Sequence, residues 1–118
     1  MSVFRDELAL VTGASGGIGG AIAMALAKHS ARVILMGRDG AKLLACADGL
    51  RSFASSVETY ACDLTKAEEI EEACARISDK HGRLDILVHC AGVIQHGNLA
   101  DAPLVCMDLQ YAANVRGP

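Results

Sequence analysis

The sequence contains no tryptophan, and only 3% of its 118 residues are aromatic. It also has no block of lysines and arginines, and its net charge of -3 argues against a nucleic-acid partner. Its longest apolar runs are shorter than the roughly 20 residues that cross a bilayer. Charged residues interrupt the N-terminal segment where an export signal needs a continuous apolar run. These absences predict a cytoplasmic protein with neither a membrane nor a nucleic acid as partner.

The cysteines are few and scattered, which limits what they can do. There are five of them, an odd number: Cys46, Cys62, Cys74, Cys90 and Cys106. No two have the spacing of metal ligands, and the four histidines do not cluster with them. We therefore predict no metal site, a reducing compartment, and core-filling roles for the thiols. Hydrophobic residues, in contrast, make up 52% of the chain, which is enough to build a core.

Patterns typical of strands and of helices alternate along the chain. Short apolar runs predict strands at 8–12, 33–36, 57–61 and 84–89. Helical spacing of apolar residues follows each of the first three runs, and Asp39 is placed to cap the second helix. For the third helix we predict Thr65 as the N-cap of a capping box and Cys74 on the apolar face. After a loop at 93–103, a fourth helix is predicted to begin near Leu104.

This alternation predicts an α/β fold with parallel strands and with helices on both faces of the sheet. Right-handed crossovers make it the first half of a doubly wound sheet, truncated after the fourth strand and the start of the following helix. No linker, repeat or low-complexity segment marks a second domain. Residues 1–118 are therefore expected to form one partial domain.

The most informative stretch is the glycine-rich turn VTGASGGIGG between the first strand and the first helix. Gly13 allows a sharp turn off the strand, Gly17 allows the backbone to approach a pyrophosphate, and Gly19 leaves room for helix–strand packing. The start of the helix then offers free N–H groups and the positive end of its dipole to phosphates. The turn predicts a dinucleotide-binding site, with a tight turn that binds nothing as the alternative.

Five stretches, in order along the chain, carry a resemblance to a known family. They are TGASGGIG at 12–19, GR at 37–38, DL at 63–64, HCAG at 89–92 and NVRGP at 114–118. Together they resemble the N-terminal, cofactor-binding half of the short-chain dehydrogenase/reductase (SDR) family. The resemblance implies a Rossmann-like fold and an NAD(P)-dependent oxidoreductase, whose C-terminal catalytic half is absent from this chain. It also implies that the fourth strand is central in relatives, so that its edge position here predicts self-association.

The resemblance further assigns the contacts to the cofactor. They fall on Gly13, Ser15, Gly17, Ile18, Gly19, Arg38, Asp63, Leu64, Cys90, Ala91 and Gly92. Asp63 is expected to bond the adenine amino group, and its alternative role is that of an acid leading into the third helix. HCAG replaces the common NNAG of the family. Backbone contacts to the cofactor should therefore persist, whereas it stays open whether side chains still brace this loop.

The end of the second strand bears on the choice of cofactor. A carboxylate at this position would bond both ribose hydroxyls and repel a 2'-phosphate, but Gly37 and Arg38 stand here. An arginine can pair with a phosphate through two parallel N–H bonds and can stack on adenine. We therefore favour NADP(H). NAD(H) stays as the alternative, because Asp39 is adjacent and Gly16 provides no second basic side chain.

Catalysis in the resembled family uses a tyrosine, a lysine four residues after it, a serine, and an asparagine that holds a relay water. Asn114 matches the asparagine and is the candidate catalytic residue, whereas Tyr60 and Tyr111 both lack a lysine four residues later. We therefore predict a cofactor-binding half that is inactive alone and acts on a small alcohol or carbonyl only when other sequence completes it. The alternatives are a nucleotide-binding or protein-interaction module without catalysis and a non-functional truncated product.

Overall fold

Four β-strands and four α-helices alternate along the part of the chain that the computed structural model describes, residues 3–93, 96–98 and 100–118. The strands are β1 (Leu8–Thr12), β2 (Arg32–Gly37), β3 (Ser56–Ala61) and β4 (Ile86–His89). The helices are α1 (Gly17–Lys28), α2 (Gly40–Leu50), α3 (Ala67–His81) and α4 (Leu104–Tyr111), which continues as a π-helical segment, Ala112–Arg116. The predicted order of elements is confirmed. The predicted loop at 93–103 includes residues 94, 95 and 99, which lie outside the described residues.

All four strands are parallel and form one sheet in the order β3-β2-β1-β4. Leu8 of β1 lies opposite Arg32 of β2, and Ala9 lies opposite Ile86 of β4. The chain steps outward from β1 to β3 and then crosses back to the far side of β1 for β4. Doubly wound sheets bind ligands at the carboxyl ends of the strands where the direction changes, which here is between β1 and β4. The Rossmann-like, doubly wound fold class is confirmed.

Two apolar clusters hold the helices on the two faces of the sheet. All five residues of β1 are buried, as expected for a strand that is covered on both faces. Alternate residues of β1 and β2 pack against α1 and α2, among them Ala9, Val11, Leu26, Val33, Leu35 and Leu43. The intervening residues pack against α3, in a cluster of Leu8, Leu10, Ile34, Met36, Cys62, Ala73 and Ile77. β4 lies at the edge of the sheet with Leu87 51% exposed, and self-association through this edge stays a prediction.

The start of α3 differs from the prediction. The helix begins at Ala67 with Lys66 in the N-cap position, so Thr65 does not cap it. Instead, the hydroxyl and the backbone N–H of Thr65 both donate to Asp63 Oδ1, at 2.7 and 2.9 Å. This Asx turn competes with helix capping for the same hydroxyl, and it delays the start of the helix by one residue.

Two further corrections concern burial and strand length. Cys74, predicted on the apolar face of α3, is exposed, because its neighbour Ala73 occupies the buried side of the helix. β4 begins at Ile86, two residues after its predicted start. Before this residue, the Leu8 N–H donates to the side-chain Oδ2 of Asp85 at 2.8 Å and not to a main-chain carbonyl, so the regular strand pairing is not yet formed. None of the helices in the described ranges has the length and apolar character needed to span a membrane.

Candidate functional site

The glycine turn after β1 folds against the segment that follows β4. Gly13 has a φ of 65°, and its N–H donates to the Met36 carbonyl at 2.9 Å. A Cβ atom at Gly13 would lie 2.6 Å from the backbone nitrogen of Ala91, so any other residue would force the two segments apart. The sharp turn predicted at Gly13 is therefore observed.

Gly19 and Gly17 occupy different environments at the start of α1. A Cβ atom at Gly19 would collide with the Gly13 carbonyl oxygen, so this glycine lets the helix pack directly beneath the turn. A Cβ atom at Gly17 would meet no described atom within 4 Å, and Ile18 is 75% exposed. The N-cap of α1 is Gly16, so no side chain caps the helix, and its first turn contains no acid. The amino end of α1 is therefore open to an anion.

Thr12, the last residue of β1, joins β1 to the loop after β4, a role that the sequence patterns did not indicate. The residue is 2% exposed, and its Oγ1 accepts the N–H groups of Cys90 and Ala91 at 3.1 and 3.2 Å. The same hydroxyl donates to the Val88 carbonyl at 3.5 Å. A hydroxyl at the end of a buried apolar strand needs hydrogen-bond partners, and that requirement was the available clue.

A cleft of about 290 Å³ opens at the carboxyl ends of the strands. Eight of the residues predicted to contact a cofactor line it: Gly13, Ser15, Arg38, Asp63, Leu64, Cys90, Ala91 and Gly92. Gly17, Ile18 and Gly19 do not line the cleft and follow directly after Gly16, which does. Lys42 also lines it, although the sequence did not single this residue out. The strand order thus brings together four of the five stretches that carry the family resemblance.

Asp63 lies two residues after β3 and presents a carboxylate to the cleft. The hydrogen bonds from the hydroxyl and then the backbone N–H of Thr65 lower its pKa below the ordinary value of 3.8, and they outweigh the opposing effect of burial. The positive charges of Lys66 and Arg38 add to the lowering. Asp63 is therefore ionised at neutral pH. Thr65 binds only Oδ1, and Oδ2 has no hydrogen-bond partner among the described residues.

The β2 side of the cleft carries positive charge. Arg38 follows β2 directly and Lys42 lies in the first turn of α2, and both side chains are exposed. Between them in sequence, Asp39 caps α2 as predicted, because its Oδ1 accepts the N–H groups of Ala41 and Lys42 at 3.1 and 3.2 Å. The acid next to Arg38 is thus bonded to the helix start.

The π-helical segment braces the loops on both sides of the cleft. Asn114 Oδ1 accepts the Val93 N–H at 2.8 Å, and Asn114 Nδ2 donates to the Val93 carbonyl at 2.7 Å. Two residues later, Arg116 Nη2 donates to the Thr65 carbonyl at 2.9 Å. The NVRGP stretch therefore holds the loop after β4 with one side chain and the loop after β3 with another. Asn114 itself does not line the cleft, and its catalytic role stays a prediction.

Comparison with known proteins identifies the family. Residues 7–118 match the family described as short chain dehydrogenase. The chain belongs to the short-chain dehydrogenase/reductase family. Among solved structures, a metagenomic SDR in complex with NADP has a TM-score of 0.92 and 37% identity to this chain, covering 98% of this chain and 52% of that one.

Two curated relatives are about twice as long as this chain. An uncharacterised oxidoreductase from Staphylococcus saprophyticus is 34% identical over 99% of this chain, which covers 50% of that protein. A second, from Staphylococcus aureus strain MRSA252, is 36% identical over 99% of this chain and is also covered to 50%. The chain therefore spans about half the length of the curated relatives it matches.

Neither tyrosine of this SDR chain lines the cleft. Tyr60 lies on β3, where its hydroxyl donates to Glu58 Oε1 at 3.4 Å and its ring centroid lies 5.4 Å from the guanidinium carbon of Arg76. Tyr111 ends α4 and is 57% exposed. The described residues around the cleft thus offer no phenol as a proton donor.

Proposed function

We propose that this chain is the NADP(H)-binding half of an SDR oxidoreductase that transfers a hydride to or from a small alcohol or carbonyl. The observation that carries the proposal is the convergence of three features on one cleft beside β1. They are a helix start that no side chain caps, a carboxylate with one oxygen that has no hydrogen bond to a described residue, and two cations with no ion-pair partner in the described part of the chain. A phosphorylated dinucleotide has a group complementary to each: a pyrophosphate for the helix start, an adenine amino group for the carboxylate, and a 2'-phosphate for the cations.

The two α-helices that start beside the cleft differ in a way that supports a pyrophosphate at α1. Asp39 caps α2, so the N–H groups of Ala41 and Lys42 in its first turn are already bonded. At α1 the N-cap is glycine, and the open space at Gly17 leaves room for a phosphate to approach the backbone. Free N–H groups and the helix dipole together favour an anion at this end.

The adenosine end of the ligand fits the opposite part of the cleft. Asp63 Oδ2 would accept a hydrogen bond from the adenine amino group, with Leu64 beside it. Arg38 would pair with a 2'-phosphate on the adenosine ribose, which favours NADP(H) over NAD(H). The NADP bound to the structural relative at 37% identity supports this choice.

The nicotinamide ring, when bound, would supply or accept the hydride. The chain's own contribution at that end is a backbone wall, Cys90–Gly92, which Thr12 holds in place through two amide hydrogen bonds. Both ends of the Asn114 side-chain amide are already bonded to Val93. A relay water at this residue would therefore use the second lone pair of Oδ1, the second hydrogen of Nδ2, or the main-chain carbonyl.

The proton donor is proposed to come from residues outside this chain. Tyr60 and Tyr111 lie away from the cleft, and neither is followed by a lysine four residues later. The chain alone is therefore expected to bind nucleotide without turnover. The same observation favours the second candidate function, a nucleotide-binding module without catalysis, which differs from the first only in whether another polypeptide supplies the missing groups.

Titration of the purified chain with NADPH, followed by the fluorescence of the nucleotide, tests the proposal. The informative variant is Gly17→Glu, which places a carboxylate in open space at the expected pyrophosphate site. Two like charges about 4 Å apart repel by about 4 kcal/mol at an intermediate dielectric, and screening at this exposed position reduces the effect. We expect NADPH affinity to fall about tenfold or more.

Gly49→Glu is the matched control, because Gly49 is also an exposed helical glycine whose Cβ would meet no described atom within 4 Å. Gly17→Glu should fold normally, since an acid in the first turn of a helix stabilises it. Wild-type affinity in Gly17→Glu would contradict the proposed pyrophosphate position. Absence of NADPH and NADH binding by a chain with a native circular dichroism spectrum would overturn the proposed function.

A further inference from the structure

Two cations at the mouth of the cleft have no acidic partner in the described part of the chain. Arg38 and Lys42 both line the cleft and both are exposed. The ion pairs formed by described residues lie elsewhere, on Arg51, Lys66, Lys80, His81 and Arg83. Arg38 is near enough to Asp63 to lower the pKa of that carboxyl, but it does not form an ion pair with it. This part of the cleft therefore carries two cations that form no ion pair among the described residues, although the carboxylates of Asp39 and Asp63 also line it.

Asp39 lies between the two cations in sequence, but its carboxylate is bonded to the helix. Its Oδ1 accepts the N–H groups of Ala41 and Lys42, and this cap holds the first turn of α2 on which Lys42 is carried. The capped N–H groups of α2 are not available to a ligand. An anion at this place would therefore be bound mainly by side chains, because the N–H groups of Ala41 and Lys42 are already bonded.

We propose that Lys42 acts with Arg38 as the second cation for the ribose 2'-phosphate, and so sets the preference for NADP(H) over NAD(H). This inference rests on the proposed function. A phosphate monoester carries a charge of about -1.5 to -2 at neutral pH, so one guanidinium leaves about a third to a half of it unbalanced. Arg38 offers a planar pair of donors, and Lys42 adds a compact point charge on a flexible stem. Gly16, which also lines the cleft, has no side chain that could supply this charge.

Binding of NADPH and NADH to the full chain and to Lys42→Gln tests the inference without any assay of turnover. Because the phosphate is present only in NADPH, Lys42→Gln should weaken NADPH binding about five- to tenfold and change NADH binding less than twofold. The dependence of NADPH affinity on salt concentration should also become shallower. Lys42→Arg keeps the charge and should retain most of the preference for NADPH.

Arg5→Gln is the charge-matched control, because it removes one exposed cation that does not line the cleft. Equal weakening of NADPH and NADH in Lys42→Gln, or no change in either, would overturn the assignment of Lys42 while leaving the proposed function intact. If the folded wild-type chain binds neither nucleotide, the proposed function fails and this inference fails with it.

Discussion

Replacement of Thr12 by valine tests whether one buried hydroxyl holds the loop after β4 against β1. Valine has nearly the same shape as threonine but cannot accept the N–H groups of Cys90 and Ala91. The Cys90 N–H would keep a second acceptor, the Thr12 carbonyl at 3.2 Å, so the loss falls mainly on Ala91. A buried donor left without a partner costs about 1–3 kcal/mol, and Ala91 is only partly buried. We therefore expect Thr12→Val to lower the free energy of unfolding by about 1–2 kcal/mol.

Urea denaturation followed by circular dichroism measures this loss, and the midpoint should fall while the slope stays unchanged. Thr59→Val is the matched control: Thr59 lies on β3, and its hydroxyl has no hydrogen bond among the described residues. The control should change stability by less than about 0.5 kcal/mol or raise it slightly, because valine favours strands. If Thr12→Val and Thr59→Val have the same midpoint as the wild type, the Thr12 hydroxyl does not hold this loop.

Two further predictions concern pH and the glycine turn. Burial raises the pKa of Glu58, but hydrogen bonds from Lys80 and His81 outweigh it and lower the pKa below 4.5. The stabilisation from these contacts is therefore present above about pH 4.5, and it is lost as the pH falls through the lowered pKa. The urea midpoint of the wild type should fall between roughly pH 5 and 3, and Glu58→Gln should make this fall shallower. A pH profile of Glu58→Gln identical to that of the wild type would refute this. Gly13→Ala adds a Cβ at a φ of 65° and 2.6 Å from the Ala91 nitrogen, and it should lower the free energy of unfolding by about 3 kcal/mol or more in the same assay. Wild-type stability of this variant would mean that the turn can shift away from Ala91 without strain.

The fold was predictable because it follows from local patterns and a few rules of connection. β1 occupies 8–12 as predicted, since a short apolar run that ends at glycine has few other interpretations. The cap by Asp39 was predicted because it involves only the next three residues. Once the elements alternate, right-handed crossovers leave few strand orders, and the cleft then lies at the carboxyl ends of the strands.

The braces of the site were not predictable because their partners are far apart in sequence. Thr12 and Cys90 are 78 residues apart, and Arg116 and Thr65 are 51 residues apart. In the sequence, Thr12 is an ordinary β-branched strand residue, and Lys42 is an ordinary charge on a helix surface. The N-cap error at Thr65 had another origin, because an Asx turn and a capping box are equally local and need the same hydroxyl.

The hydrogen bonds of the HCAG loop explain how it can differ from the common NNAG. The bonded groups are main-chain ones: the N–H groups of Cys90 and Ala91 in the loop, and the N–H and carbonyl of Val93 directly after it. Their side-chain partners, Thr12 and Asn114, lie on other elements, so the side chain at position 90 carries none of these bonds. These bonds therefore depend on Thr12 and Asn114 and not on the side chain of Cys90. A loop braced in this way keeps its backbone in place when the side chain at position 90 changes.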